Sequence, residues 1–468
     1  MTPANRNTNN PRPKTRNAAK RTRTPQTVGN VRTAGVNRKA PKSRTLDQQV
    51  AAIPIERGEF VLTRRHFVYG AAALAGVAAV GGGAYAFNAV MGPEEEEIVV
   101  LDVTADAVTS SDDIQQVEYT SCVALIGDFE LDYGTMVWCN DDAVAACLLP
   151  GASGKPLTQA ALLWLSSGTT STVLEQAVGA SEGFEIVDVR ATSNGLLWVE
   201  SDMLEGTWRV YTAALSDSGN MGEPVLADEG DGDWETPTIA LAGAFAYWQV
   251  LPRSDGARAK EASVLRHARV GSGKAEVAWE SQGRMATPPY ATEDKIVITP
   301  RADADSSVHY QMTCLKASSG EMVDSCTLPA SMKPLEAGYS DNGFTFAFDA
   351  IYSNDTGIAN LGTYAPSAKA AGDGYSGVPW FRWGRTPSCA PANCGDYLVV
   401  KSKTAVCGVN LGTQTYFALD VESGSADYGD MLASSGSRDT FVTYANVVSK
   451  PLKEASKQYC HVRVWTAL

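Results

Sequence analysis

The run Gly195-Leu196-Leu197-Trp198 is a short strand-like segment that follows a turn signal, and the same arrangement recurs along the chain. Its counterparts are Thr135-Met136-Val137-Trp138, Phe245-Ala246-Tyr247-Trp248, Lys295-Ile296-Val297-Ile298, Gly343-Phe344-Thr345-Phe346, Asp396-Tyr397-Leu398-Val399 and Asp439-Thr440-Phe441-Val442-Thr443. Counted between last residues, the steps are 60, 50, 50, 48, 53 and 44, so seven units fit. Each unit adds a second strand such as Trp208-Arg209-Val210-Tyr211 and a third such as Glu276-Val277-Ala278-Trp279. A fourth segment carrying Pro or Gly, such as Thr236-Pro237-Thr238-Ile239-Ala240, leads to the next unit. A supersecondary unit of this size buries its apolar face only by stacking on its neighbours. Past the apolar run ending at Met91, no segment has helical periodicity.

Four short antiparallel strands per unit of about 50 residues is the signature of a propeller blade. The pattern is similar to seven-bladed β-propellers that lack the Gly-His and Trp-Asp dipeptides of WD40 repeats, over residues 113 to 468. The resemblance implies an all-β fold class of four-stranded antiparallel blades. Six blades plus an extra sheet is the alternative, because the 60- and 44-residue steps are irregular; a β-sandwich array is the other. The last unit lacks one strand, and Gln115 to Ala124 is expected to supply it, closing the ring.

The chain of 468 residues is 44% hydrophobic and 20% charged, which excludes a wholly disordered polymer. Its net charge of -14 conceals an asymmetry: residues 1–65 hold fifteen Lys/Arg against three Asp/Glu, and the remainder has 24 basic against 50 acidic residues. The acidic part repels phosphates, so nucleic acid is not an expected partner of the propeller. Residues 1–62 are a basic tail with few aromatic or large aliphatic side chains, and are expected to be disordered on the cytoplasmic side. Residues 63–92 contain the uncharged run Val68 to Met91, whose 24 positions reach roughly 36 Å as a helix, enough for a bilayer core. Residues 93–112, with Glu94 to Glu97, are an acidic linker.

Thr63-Arg64-Arg65-His66-Phe67-Val68 resembles the twin-arginine (Tat) export signal, although Tyr69 stands where Lys is common and the N-terminal extension is unusually long. The resemblance makes Arg64, Arg65 and Phe67 the export signal, the Tat translocase a partner, and the protein a passenger that crosses the membrane folded. An ordinary signal anchor is the alternative. Ala84-Tyr85-Ala86 offers a small-x-small cleavage site. The C-terminal part is therefore expected to be extracytoplasmic, anchored in the cell membrane, or secreted if cleavage follows Ala86.

Nine cysteines in an exported chain favour disulfides over metal ligation. Cys314 with Cys326, flanking a hairpin turn, is the leading pair. Cys122 with Cys460 would lock the ring, Cys139 with Cys147 and Cys389 with Cys394 close short loops, and Cys407 is left over. No spacing suits a structural zinc.

Catalytic signals are few. There is no G-x-S-x-G, H-E-x-x-H or phosphate loop, and His267, His309 and His461 lie in expected strands. Asp228, Asp231 and Asp233 on a Gly-rich turn are candidate ligands for a hard cation such as calcium, though a solvated acidic turn is the plainer reading. No other cofactor is expected. Trp234 and Glu235, with Trp380, Arg382, Trp383 and Arg385, are candidates for seating a glycan or an acidic side chain, against a strand of alternating buried aromatics. Glycosidase chemistry would draw two carboxylates from Asp128, Glu130, Asp132, Glu182, Glu185, Asp233, Glu235, Glu336 and Asp430. The expected function is an exported, membrane-anchored binding or scaffolding module for an envelope protein or glycan. An exported carbohydrate-active hydrolase or lyase, or a cofactor-dependent oxidoreductase, is the alternative.

Overall fold

A computed structural model describes residues 49–55, 58–63, 101, 108–110, 113–151, 157–303, 309–330, 332–349, 363–364, 380–382, 389–402, 404–425, 429–449 and 456–468. The chain divides into a unit from Met1 to Gly92 and one from Pro93 to Leu468. In the first, Gln49–Ile55 pairs antiparallel with Gly58–Thr63. Gln49–Ile55 and Gly58–Thr63 are apolar stretches unlike the tail before them. Arg64, Arg65, Phe67, Ala86 and the run from Val68 to Met91 lie outside the described residues. Among the described residues no helix is long and apolar enough to cross a membrane.

The second unit is all-β and propeller-like, with helix confined, among the described residues, to the 3-10 turns Tyr119–Ser121 and Ala180–Glu182. Its first sheet runs Met136–Trp138, Val144–Pro150, Leu157–Trp164, Thr170–Leu174. The second runs Glu185–Thr192, Gly195–Asp202, Thr207–Ala214, Val225–Gly230, and the third Thr238–Ala242, Phe245–Val250, Ser263–Arg269, Glu276–Ser281. The fourth begins at Tyr290–Thr292, the fifth at Lys333–Ser340 and the sixth at Ala392–Cys394. The seventh joins Met431–Leu432, Thr440–Ser449, Lys457–Ala467 and, from the opposite end of the unit, Val123–Leu131.

Burial explains this order. Second strands such as Gly195–Asp202 are covered on both faces and read as continuous apolar runs, whereas outer strands such as Val225–Gly230 alternate. A register shift recurs between the third and fourth strands of the first four sheets, next to Ala161, Tyr211, Arg266 and Leu315. Such bulges strengthen local twist.

The core is distributed between sheets rather than within one. One apolar cluster joins Val144 and Leu162 of the first sheet to Val189 and Trp198 of the second. Others join Trp208 to Trp248, Tyr247 to Ile296, Val297 to Phe346, Ala347 to Val400, and Phe417 to Phe441, each between consecutive sheets. The seventh cluster packs Val442 and Val464 of the last sheet on Val137 and Leu163 of the first.

Three expectations are corrected. Met136–Trp138 is the first strand of its sheet whereas the Gly195 to Trp198 anchor lies in the second of its own, so the 60-residue step reflects an anchor taken one strand early; Cys147 is the counterpart of Trp198 and restores a step of 51. The closing strand is Val123–Leu131, whereas Gln115–Gln116 adds in parallel to Thr415–Ala418 of the sixth sheet. Finally, residues of the expected acidic linker take part in the folded unit. Leu101 is buried between the fourth and fifth sheets and donates its N–H to Thr327 O at 2.8 Å, and Val108–Ser110 pairs in parallel with Trp380–Arg382.

Candidate functional site

First strands of the first two sheets, the segment leading into the third and the turn at Met203 line a cavity of about 400 Å³ that is wide open to solvent, formed by Trp138, Val187, Asp188, Arg190, Met203, Thr236 and Pro237. A bulge builds its polar wall. Ile186 pairs with Glu200 and Asp188 with Val199, so Val187 is the extra residue. An extra residue re-aims the side chains after it. Asp188 and Arg190 then share one face of the strand, while Val189 between them is fully buried on the other.

Asp188 Oδ1 accepts the Val189 N–H at 2.9 Å and is ion-paired with Arg190 Nη1. Arg190 Nη1 also donates to Val189 O at 2.7 Å, and the guanidinium carbon stands 4.9 Å from the Trp138 ring centroid. The Asp188 and Arg190 side chains keep 22% and 20% of their exposure. Burial pushes the Asp188 carboxyl above the usual carboxylate range, with Arg190 pulling against it. The wall therefore presents one charge of each sign, mutually compensated. Met203 lines it from the hairpin turn Asp202 to Thr207, where Met203 and the neighbouring Leu204 are exposed by 71% and 96%. That turn closes because Asp202 Oδ1 accepts the Leu204 N–H at 2.9 Å and Gly206 supplies a φ of +73°.

The nominated acidic stretch leads into this cavity at Thr236 but spends its charges on the way. Asp228 is ion-paired with Arg266 at 2.5 Å and accepts the Trp248 indole N–H at 2.7 Å. Asp231 Oδ1 accepts the Asp233 N–H at 3.1 Å, and Asp233 pairs with Arg258 at 3.1 Å. Glu235 pairs with Arg284 at 2.8 Å, and the Arg258 guanidinium covers Trp234 with its carbon 5.5 Å from the ring centroid. Asp228 and Asp233 are thus each engaged by an arginine, and no group of three or more His, Cys, Asp or Glu side chains suits a metal among the described residues. Trp380–Arg382 is a strand of the fifth sheet. Trp383 and Arg385 lie outside the described residues.

Other nominated carboxylates are also paired. Glu182 binds Arg209 at 2.7 Å, and three more bind the strand Lys457–Ala467. On one face of that strand, Lys457 pairs with Glu130, His461 Nε2 with Asp128 at 2.6 Å and Nδ1 with Glu422, and Arg463 with Asp430. Tyr459 OH donates to Glu422 at 2.8 Å. Burial works against a charged His461, but hydrogen bonds to Glu422 and Asp128 outweigh it and raise its pKa. His267, whose pKa burial lowers, stacks on Tyr247 with ring centroids 5.2 Å apart.

None of the nine cysteines is joined in a disulfide, so the expected pairings are not seen. In the 314/326 hairpin, Cys314 faces Asp324 and Cys326 faces Met312, because a bulge beside Leu315 shifts the register. Cys460 faces Leu131, while Cys122 precedes Val123 at the far end of that strand pair, where its backbone carbonyl accepts the Leu468 N–H at 3.0 Å. Cys139 lies two residues beyond Val137, the residue opposite Cys147, and its Sγ donates to Asp141 O at 3.2 Å. Cys394 Sγ donates to Asp439 O at 3.3 Å, whereas burial beside Glu336 raises the Cys389 thiol to about 12. Cys407 is buried between the fifth and sixth sheets. Burial pushes Cys314, Cys326 and Cys460 up to about 12, so they are protonated thiols at neutral pH.

Sequence reasoning missed the Asp188 and Arg190 wall. Its only trace is a pair of opposite charges, two residues apart, in a first strand that is otherwise apolar toward Ala191.

No family model matches this sequence, and neither does any curated protein. Among solved structures, a prolyl endopeptidase is similar at 10% identity and a TM-score of 0.43, over 72% of this chain and 47% of that one. The tricorn protease is similar at 11% identity and a TM-score of 0.39, over 72% of this chain and 36% of that one. The arabinofuranosidase Arb93A of Fusarium graminearum is similar at 8% identity and a TM-score of 0.33, over 75% and 95%. This chain thus spans less than half the length of the first two.

Proposed function

We propose that the unit from Pro93 to Leu468 is a closed seven-bladed propeller, exported by the twin-arginine route and held at the membrane, which serves the cell envelope as a binding or scaffolding module. Seven apolar clusters, one for each pair of consecutive sheets and the last returning to the first, support the blade count. The cavity beside Trp138 and Arg190 is its ligand seat.

One observation carries the choice of binding over hydrolysis: among the described residues the cavity wall holds a single carboxylate, Asp188, and a guanidinium compensates it. Two-carboxylate hydrolysis needs a second acid about 5–9 Å away with its own task. Purified full-length protein incubated with chromogenic glycosides and peptides is expected to leave them intact; turnover lost in Asp188→Asn would sink the proposal. For the route, an Arg64→Lys/Arg65→Lys variant is expected to accumulate folded on the cytoplasmic side, read by protease accessibility of intact and permeabilised cells. Unchanged export of that variant would assign an ordinary anchor.

A further inference from the structure

The chemistry of the cavity wall narrows what it accepts. Asp188 and Arg190 form a compensated pair whose Arg190 Nη1 is already shared between Asp188 and the Val189 carbonyl. An anionic ligand approaching Arg190 meets the Asp188 carboxylate, and a cationic one approaching Asp188 meets the guanidinium. A neutral hydroxyl has neither difficulty, because it donates to a carboxylate and accepts from a guanidinium at once. Around this pair stand Trp138, Val187, Met203 and Pro237, which are apolar, and Thr236, which adds one more hydroxyl. Neighbouring hydroxyls beside C–H faces are the mark of a pyranose or furanose ring. The site is open to solvent and its volume of about 400 Å³ gives room for one or two rings in contact with the wall.

We propose that this cavity binds a neutral saccharide unit, with Asp188 and Arg190 bridging adjacent hydroxyls and Val187, Met203 and Pro237 lying against the ring carbons. The inference rests on the reading of the cavity as a ligand seat and adds the class of ligand. Asp188 and Arg190 act as a charge-neutral couple, so removing either charge changes the sign of ligand that the site prefers.

The test uses the full-length protein in a sugar-free detergent, with saturation-transfer NMR and calorimetry. The probes are cellobiose, maltose and N,N′-diacetylchitobiose as neutral disaccharides, methyl glucuronide as an anion, glucosamine as a cation, and a mixture of neutral tripeptides. At least one neutral disaccharide is expected to bind, with both charged sugars weaker. Asp188→Asn is expected to weaken the neutral sugar about tenfold, the loss of a charge-assisted hydrogen bond, and to strengthen methyl glucuronide. Arg190→Gln is expected to shift preference toward glucosamine. A merely structural role for the pair would lower all affinities together without this exchange of preference, and that result overturns the proposal. Failure of every saccharide to bind also overturns it; if tripeptides bind instead and lose contact in Trp138→Ala, the binding-module reading survives alone. Turnover of a bound disaccharide would retain the ligand class and remove the binding-module reading.

Discussion

Two interfaces in the second unit do the same mechanical work with different chemistry. Between the second and third sheets the contact is apolar: Leu197, Val199, Trp208, Val210, Ile239, Leu241 and Trp248 interlock, and each sheet is a single continuous stretch of chain. At the seam that brings the last sheet to the first, the outer strand Val123–Leu131 arrives from more than 300 positions away. There the buried face carries Cys460, Val462 and Val464, and the other face carries Lys457, Tyr459, His461 and Arg463. The difference teaches where register must be specified. Adjacent hairpins inherit register from short turns, whereas a strand recruited from far away must find it by its own side chains. A one-residue slip would turn the charged face inward and break the pairs with Asp128 and Glu130 together.

The strongest way to break the contrast is Trp248→Ala. This fully buried indole fills the second interface, and its removal is expected to cost about 3–5 kcal/mol, read as a fall in the urea midpoint with unchanged slope. A loss under about 1 kcal/mol would remove the apolar interface as the source of strength. Next comes Arg463→Ala at the seam. It leaves the fully buried Asp430 without its partner, at an expected cost of about 3 kcal/mol, and Arg463→Ala combined with Asp430→Asn is expected to recover part of that loss.

The seam is sharpened by pH. The folded pKa of His461 lies above its unfolded value of about 6.5, because Glu422 and Asp128 outweigh burial. Its contribution is therefore complete below about pH 6.5 and is lost as pH rises through the folded pKa. Asp128 is half exposed, which limits the effect to about 1 kcal/mol. Chemical denaturation from pH 5 to 9 is expected to show this decline in the wild type and a flatter profile in His461→Gln; identical profiles would refute the role. The smallest effect is expected for Lys457→Ala. Both it and Glu130 are at least half exposed, so stability should change by less than about 0.5 kcal/mol.

Legibility followed burial. The second strands were visible because covering both faces demands an uninterrupted apolar run, as in Leu196 to Val199 or Ala246 to Trp248. Trp138 misled because a three-residue first strand with an apolar sequence looks the same. The closing strand was hidden for a different reason: the bulge at Ile126 interrupts its alternation and leaves Leu125 and Ile126 45% and 58% exposed. The cavity was hidden by the bulge at Val187, which exists only as a mismatch with the pairing of Gly195–Asp202. The carboxylates that the sequence nominated were correctly found as charged positions, but their partners, such as Arg266 for Asp228 and Arg284 for Glu235, lie 38 and 49 residues away.

By itself the sequence determined the all-β repeat and its approximate period, because strand composition and turn residues are local. It also determined the separation of a basic tail from an acidic folded unit. Only the tertiary structure decided which strand completes the last sheet, which residues the cysteines face, and that Arg190, paired with Asp188, lies over the Trp138 ring. Those outcomes depend on register and on bulges, which arise when one strand meets another and have no counterpart in either strand alone.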